Sequence, residues 1–498
     1  MGTALRILSV APMLVTLLCS FARSQDQSAL ESIKGSEIVH HIKFLASEEM
    51  RGRETFTREH MIAARYIANA FELYGLKRPP DYPDYYQRIP SKLLSVGTPN
   101  AFATRESNYI EGEDFRAAAV GSGTVDAEVV FVGYGVTREG YDSYAGVDVR
   151  NRIVMVFEGN FPGKGGSFPS LPQLLVGNAI QHGASGMIFV RGSSPKNKKW
   201  EIGSEVSTAS LISPIVMAKK MKILDWDETT WKQWSHFPMV YVSMEVANDL
   251  LGRSKRTIGE LKEEIDRLGK SLSFSLQQNV SLSIDVYESQ QSTVNVVGMI
   301  EGTDPVLREE VIIVGAHCDH LSISSESGET LYGADDNASG IAALLEIAEA
   351  FSFCDAKPKR SILFIAFTGE EKSLIGSQYY IDHPVVALEK TTAMLNLDMI
   401  GRNDSTEIIV ASQGQIKGFS PFLHEPAHKV GIVVRESEDI SGSDHVAFSF
   451  QSIPVIFFFD GGGEFGHSPN DTWVQLSPYK MERVARLCFL AIDRIARQ

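Results

Sequence analysis

Residues 311–340 read VIIVGAHCDHLSISSESGETLYGADDNASG. Val311 to Val314 is an unbroken apolar run rich in Val and Ile, as expected of a parallel strand buried on both faces. The run stops at Gly315, and His317 and Asp319 follow as H-x-D, so polar side chains begin where the apolar strand ends. A loop rich in Ser, Glu and Gly leads to GADDNASG (333–340), and from Ile341 to Phe351 apolar residues recur at helical spacing. This predicts strand, loop and helix, with Asp335 and Asp336 on the loop that enters the helix.

The same pattern repeats downstream. SILFIAFT (361–368) ends in Gly369-Glu370-Glu371 and turns helical from Ser373. AMLNL (393–397) ends at Asp398, and PVIFFF (454–459) is followed by Asp460 and then by His467-Ser-Pro-Asn-Asp-Thr472. Ser477 and Pro478 open a last amphipathic helix that runs nearly to Gln498. Upstream, 280–286 and 294–300 read as strands. The alternation predicts an α/β fold, a mixed and mostly parallel sheet flanked by helices, with its functional residues beyond the carboxyl ends of the strands.

Five residues occupy that position: His317, Asp336, Glu371, Asp398 and His467. Imidazole and carboxylate together suit zinc, and a carboxylate can bridge two ions about 3.5–4 Å apart. Asp336 is the natural bridge, with His317 and Asp398 completing one ion's set and Glu371 and His467 the other's. Burying so much negative charge without cations would cost several kcal/mol. Glu370, beside Glu371, is the candidate general base for a metal-activated water. Asp319 is expected to hold the His317 imidazole by a hydrogen bond. His445 rivals His467 as a ligand, and His320 and Asp335 read as structural neighbours.

Residues 1–24 carry one basic residue ahead of an apolar run and small residues before the expected cut, as in a cleaved export signal. The run is shorter than the ~20 residues of a spanning helix. Its loss removes Arg6 and Arg23 and takes the formal charge from −15 to −17. Such acidity argues against nucleic acid or an anionic membrane as partner. Cys318, Cys354 and Cys488 remain, an odd number that leaves either a Cys354–Cys488 bridge or buried thiols. Helices are expected over 37–45 and 58–74, where His40 and His41 read as ordinary surface or packing residues. Residues 79–99 read as a Pro- and Tyr-rich linker or lid. Short strands (129–136, 153–159, 187–190), a helix over 174–182 and a charged helix over 258–268 follow, suggesting a smaller separate domain. Trp226, Trp231 and Trp234 read as interface packing, and Lys196, Lys198 and Lys199 as a solvated loop. The expected divisions are a signal (1–24), the first part of the main domain (25–105), an insertion (106–275) and the catalytic domain (276–498).

GAHCDH, GADDNASG, FTGEEKSLIGS, NLDMIGR, SDHVAF and GHSPNDT, in order over 290–498, resemble the co-catalytic zinc peptidase family. That family includes secreted bacterial aminopeptidases, glutamate carboxypeptidase, glutaminyl cyclase and the transferrin receptor. VVFVGYGV, DSYAGVDVRNRIVMV and HGASGMIFV, within about 110–270, are similar to a β-rich α/β protease-associated domain. The resemblance implies two zinc ions on the five residues above and Glu370 as general acid/base; together with the export signal and the surplus of carboxylates at the site, the expectation is a secreted or periplasmic aminopeptidase acting on peptides with a free N-terminus. One departure is Gly466, where some members carry a tyrosine that steadies the tetrahedral intermediate; Tyr379, Tyr380 or a zinc ion would have to replace it. The rivals are a carboxypeptidase for acidic dipeptides, for which only Arg402 and Arg435 are at hand between Glu370 and His467, a glutaminyl cyclase, and a binding module without catalysis.

Overall fold

The computed structural model describes residues 27–119, 121–138, 140–157, 172–191, 205–207, 234–252, 256–323, 327–354, 356–413, 419–439, 442–463 and 466–498. The expected signal (1–24), Trp226, Trp231 and the run Lys196, Lys198 and Lys199 lie outside the described residues. The chain divides into two compact units. One is Met1–Ile89 with Thr293–Ser324 and Glu329–Gln498; the other is Pro90–Ser292 with Ser325–Gly328.

The first unit begins with α1 (Gly35–Leu45) and α2 (Arg58–Leu73). Thr57 caps α2 by accepting the His60 amide at 3.2 Å, and Gly75 follows its end with φ 73°. The stretch read as a linker or lid contains a strand, β1 (Tyr86–Val96). Its inward positions include Gln87, Ser91 and Ser95 as well as Ile89 and Leu93, so burial alternates where hydrophobicity does not.

The second unit carries β2 (Ala101–Thr104), β3 (Phe115–Ala117), β4 (Gly123–Phe131), β5 (Ile153–Phe157), α3 (Pro172–Gln181), β6 (Gly186–Val190), β7 (Met239–Val242), α4 (Met244–Leu251), α5 (Ile258–Leu268) and β8 (Phe274–Ile284). Its sheet runs β2–β8–β4–β5–β6–β7–β3. The unit is wider than the expected 106–275, because β2 pairs with the far half of β8, Phe102 opposite Leu282. Trp234 is buried in this unit's own core. Among the described residues no helix is long and apolar enough to cross a membrane.

Back in the first unit, β9 (Val286–Ile300), β10 (Val311–His317), α6 (Gly340–Phe353), β11 (Ser361–Phe367), α7 (Ile375–Asp382), β12 (Thr391–Leu397), β13 (Glu407–Gln413), α8 (Phe419–Val430), β14 (Val433–Ser437), α9 (His445–Ser449), β15 (Val455–Phe459) and α10 (Pro478–Arg497) follow. The sheet order is β1–β9–β11–β10–β12–β15–β13–β14, with the short strand Glu205–Ser207 on the outer edge of β1. The adjacent strands β11, β10, β12 and β15 are parallel, while β9 and β13 are antiparallel to their neighbours β11 and β15. Both faces of the parallel strands are covered. Ile312, Val314 and Ala316 enter the core shared with α1, α2, α6 and α10, and Val311 and Ile313 enter the core with Tyr380 and Phe448. Double-sided burial is why these strands read as unbroken apolar runs. Cys318, Cys354 and Cys488 are buried free thiols, so the bridge left open by the sequence does not form.

Candidate metal centre

The four parallel strands end along one edge of the sheet. His317 closes β10 opposite Phe367 of β11, so Glu370 and Glu371 lie just past that edge, and Asp398 directly follows β12. Asp336 arrives on the turn Ala334–Ser339 that feeds α6. That turn is tied down by side chains. Asn337 donates to the Leu397 carbonyl at 2.9 Å and accepts the Gly340 amide at 2.9 Å. Gly340 is needed there, since a Cβ would sit 2.3 Å from the Asn337 Oδ1. Asp471 accepts the amides of Asp335 and Asp336, each at 3.0 Å, and takes a 2.9 Å bond from Arg402 Nη2.

The side chains meet in two groups that share Asp336. His317 Nε2 lies 3.3 Å from Asp336 Oδ1 and 3.3 Å from Asp398 Oδ1. His467 Nε2 lies 3.3 Å from Asp336 Oδ2 and 3.0 Å from Glu371 Oε2. Ligands about 2.0–2.1 Å from a tetrahedral zinc stand about 3.3 Å from one another. The spacing and the donor set therefore fit two zinc ions bridged by one carboxylate.

The two imidazoles differ in access: the His317 side chain is 1% exposed and that of His467 is 56% exposed. His320, read from the sequence as a structural neighbour, also reaches the second group. Its Nδ1 is 2.8 Å from Glu371 Oε1 and 3.8 Å from Asp336 Oδ2.

Asp319 corrects one expectation. His317 Nδ1 bonds the main-chain carbonyl of Asp319 at 3.1 Å, while the carboxylate stands off at 3.8 Å. The carboxylate instead accepts the Thr55 hydroxyl at 2.8 Å and the Glu370 amide at 3.2 Å, so it positions Glu370. His445 stacks on Phe457 at 4.1 Å and joins neither metal-binding group. Asp335 accepts the Gly401 amide at 2.8 Å, a structural role as expected. Tyr380 is buried against Phe448 and Tyr379 stacks on His383, so the contacts of both lie within the packing around α7. Arg402 is held by Asp471 and the Asn470 carbonyl, and Arg435 is an exposed partner of Glu407, which leaves no arginine cluster in this pair.

Charge follows geometry. Burial pushes Glu370 well above the ordinary carboxyl range, with Glu371 and Asp398 adding to the rise against His317. Burial also acts to raise Glu371, but hydrogen bonds from His320 and His467 outweigh it and bring that group down to about 2. Hydrogen bonds to Asp336 and Glu371 lift His467 to about 11. His317 rises well above its usual value despite burial, because Asp398 and Glu370 face it. Glu370 is thus held up beside Asp336 and Glu371, which are both drawn down, while burial raises Asp398 as well; carboxyls pushed apart in this way are the pattern of an acid/base site.

Several supporting residues escaped sequence reading. Arg53, fully buried, donates to the carbonyls of Tyr332 at 2.8 Å, Gly333 at 2.7 Å and Leu45 at 3.2 Å. It braces the Asp336 turn from the segment between the helices expected over 37–45 and 58–74, where no site residue was expected. Its partners are main-chain oxygens, two of them 279 and 280 positions away, which leave no side-chain signature. Thr55, Asn337 and Asp471 were equally silent, although Asn337 and Asp471 lie within GADDNASG and GHSPNDT, two of the stretches that carry the family resemblance.

Residues 295–492 match the model of peptidase family M28. Aminopeptidase YwaD of Bacillus subtilis (strain 168) is 28% identical over 229 residues, 43% of this chain and 47% of its own. The chain spans about half the length of the curated relatives it matches. The fold is similar to that of the aminopeptidase from Aneurinibacillus sp. strain AM-1, with TM-score 0.60 and 21% identity over 95% of this chain and 96% of that one. It is similar as well to BSAP, a zinc aminopeptidase from Bacillus subtilis, with TM-score 0.56 and 19% identity over 94% and 96%. All the candidate ligands lie between positions 317 and 467, inside the segment that matches the peptidase family M28 model.

Proposed function

We propose that this chain is an exported two-zinc exopeptidase, an aminopeptidase that removes N-terminal residues from peptides. The observation that supports it most is the pair of ligand groups sharing Asp336, with a proton-holding Glu370 beside them. In this reading His317, Asp398 and Asp336 hold one ion, and Glu371, His467 and Asp336 the other. When bound, the pair supplies Lewis acidity that lowers the pKa of water and polarises a peptide carbonyl. Glu370, ionised once bound cations offset the carboxylates beside it, takes the proton of the attacking water and delivers it to the leaving amine. Asp319 keeps Glu370 aimed through its main-chain amide at 3.2 Å. The surplus of carboxylates favours a substrate with a free, positively charged α-amine.

Zinc is supported by the ligand spacing and by the zinc aminopeptidase with which the fold is shared. Export rests on the apolar run within residues 1–24. The second unit is read as a protease-associated domain inserted into the peptidase.

The test is turnover of a panel of aminoacyl p-nitroanilides and their N-acetyl counterparts by the parent and by Glu370→Ala, with zinc measured on both. The expected result is cleavage of free substrates only, lost by at least ~10²-fold in a variant that still carries about two zinc ions. Equal cleavage of the acetylated set would rule out recognition of the amine. An active Glu370→Ala would remove Glu370 from its role.

A further inference from the structure

We infer that His320 is a positioning residue for one half of the metal centre: its Nδ1–H holds Glu371 Oε1, so that Glu371 offers the single oxygen Oε2 to the ion it shares with His467. The inference rests on the two-metal reading above and extends it to a residue outside the five ligands.

Distances separate the ligand role from the positioning role. The pairs assigned to a common ion stand 3.0–3.3 Å apart. His320 Nδ1 is 2.8 Å from Glu371 Oε1, an ordinary N–H···O hydrogen bond, and 3.8 Å from Asp336 Oδ2, beyond the spacing of two ligands on one tetrahedral ion. Its Nε2 is buried with no hydrogen-bond partner, so Nδ1 is the ring nitrogen that makes a bond, and facing a carboxylate oxygen it is the donor. The ring has nowhere else to turn. It is fully buried, and Gly333, at φ +60°, packs so closely that a Cβ there would lie 2.5 Å from His320 Cγ.

The clamp sits on the half of the centre that opens to solvent through His467, whereas the His317 half is enclosed. With Oε1 occupied, Glu371 cannot swing to chelate with both oxygens, and Oε2 stays 3.0 Å from His467 Nε2. Partners that orient a ligand are typically worth 10–100-fold in metal affinity.

The experiment is stepwise zinc binding to the metal-free full chain, by competition with a chromophoric chelator, for the parent, His320→Ala and His320→Asn. Asn places an amide N–H near the position of Nδ1. We expect one of the two binding steps to weaken about 10–100-fold in His320→Ala, the other step to stay within a few-fold, and Asn to restore most of the loss. Two unchanged steps in His320→Ala would overturn the inference while leaving the two-metal reading intact. A parent that binds no zinc would overturn both. Long-range ¹H–¹⁵N NMR on the zinc-loaded parent needs no variant: a proton on Nδ1 is the expected pattern at His320, and a metal-bound nitrogen there would make it a ligand and end the positioning role.

Discussion

Three carboxylates, Asp336, Glu371 and Asp398, crowd two imidazoles, one enclosed and one open to solvent, and protons answer that crowding when metal does not. His467 is held up to about 11 and His317 well above its usual value, so in the metal-free protein both rings are cationic at neutral pH. Zinc needs their lone pairs and must displace those protons. Binding should therefore strengthen as pH rises and weaken as it falls, with about two protons released per chain near pH 7. Calorimetric titration with zinc in buffers of different ionisation enthalpy reads that number directly; a value near zero would mean that the rings do not carry the protons. At this scale the sequence was informative for a physical reason. His317 and Asp398 stand where runs buried on both faces stop abruptly, so each marks itself by contrast. His320 lacked that contrast, and the role of Asp319 could not be foreseen because its carbonyl, rather than its carboxylate, serves His317.

Among elements, the short turn Glu48–Arg53 has the greatest influence for its size. Arg53 fills the carbonyls of the Asp336 turn, and its charge faces Asp336, Asp471 and Asp319. Arg53→Met should cost about 3–5 kcal/mol, because acceptors and acids would be left buried without their donor. Urea unfolding should show the loss as a lower midpoint at unchanged m-value, and zinc affinity should fall with it. A variant with parental stability would show that the turn holds itself. The strands β10, β11, β12 and β15 and the helices α1, α2, α5 and α10 were legible to within a few residues, since period and caps speak locally. The chain from 407 to 437, which forms β13, α8 and β14, passed unread. β14 is an edge strand that buries only Val434 of its five residues, and Pro426 interrupts the helical signal of α8.

On the scale of the molecule, every proposed ligand and every brace lies in the first unit, while the second has its own sheet and core. The helix α5 of the second unit opens on a capping box, with Thr257 Oγ1 accepting the Glu260 amide and Glu260 accepting that of Thr257. Thr257→Ala should lower the stability of the second unit by about 1 kcal/mol and leave zinc affinity unchanged. Thermal unfolding followed beside zinc titration checks this, and a fall in affinity would mean that the metal centre depends on the smaller unit. The two ends of the chain meet within the first unit: Arg486 of α10 reaches the Ile33 carbonyl at 3.0 Å, and Glu482 accepts the Gly35 amide at 2.8 Å. Arg53 and His467 stand 414 positions apart in the sequence. A ribosome must therefore add the whole stretch between them before the centre can close, and until then a growing chain holds its proposed ligands and their braces in separate pieces.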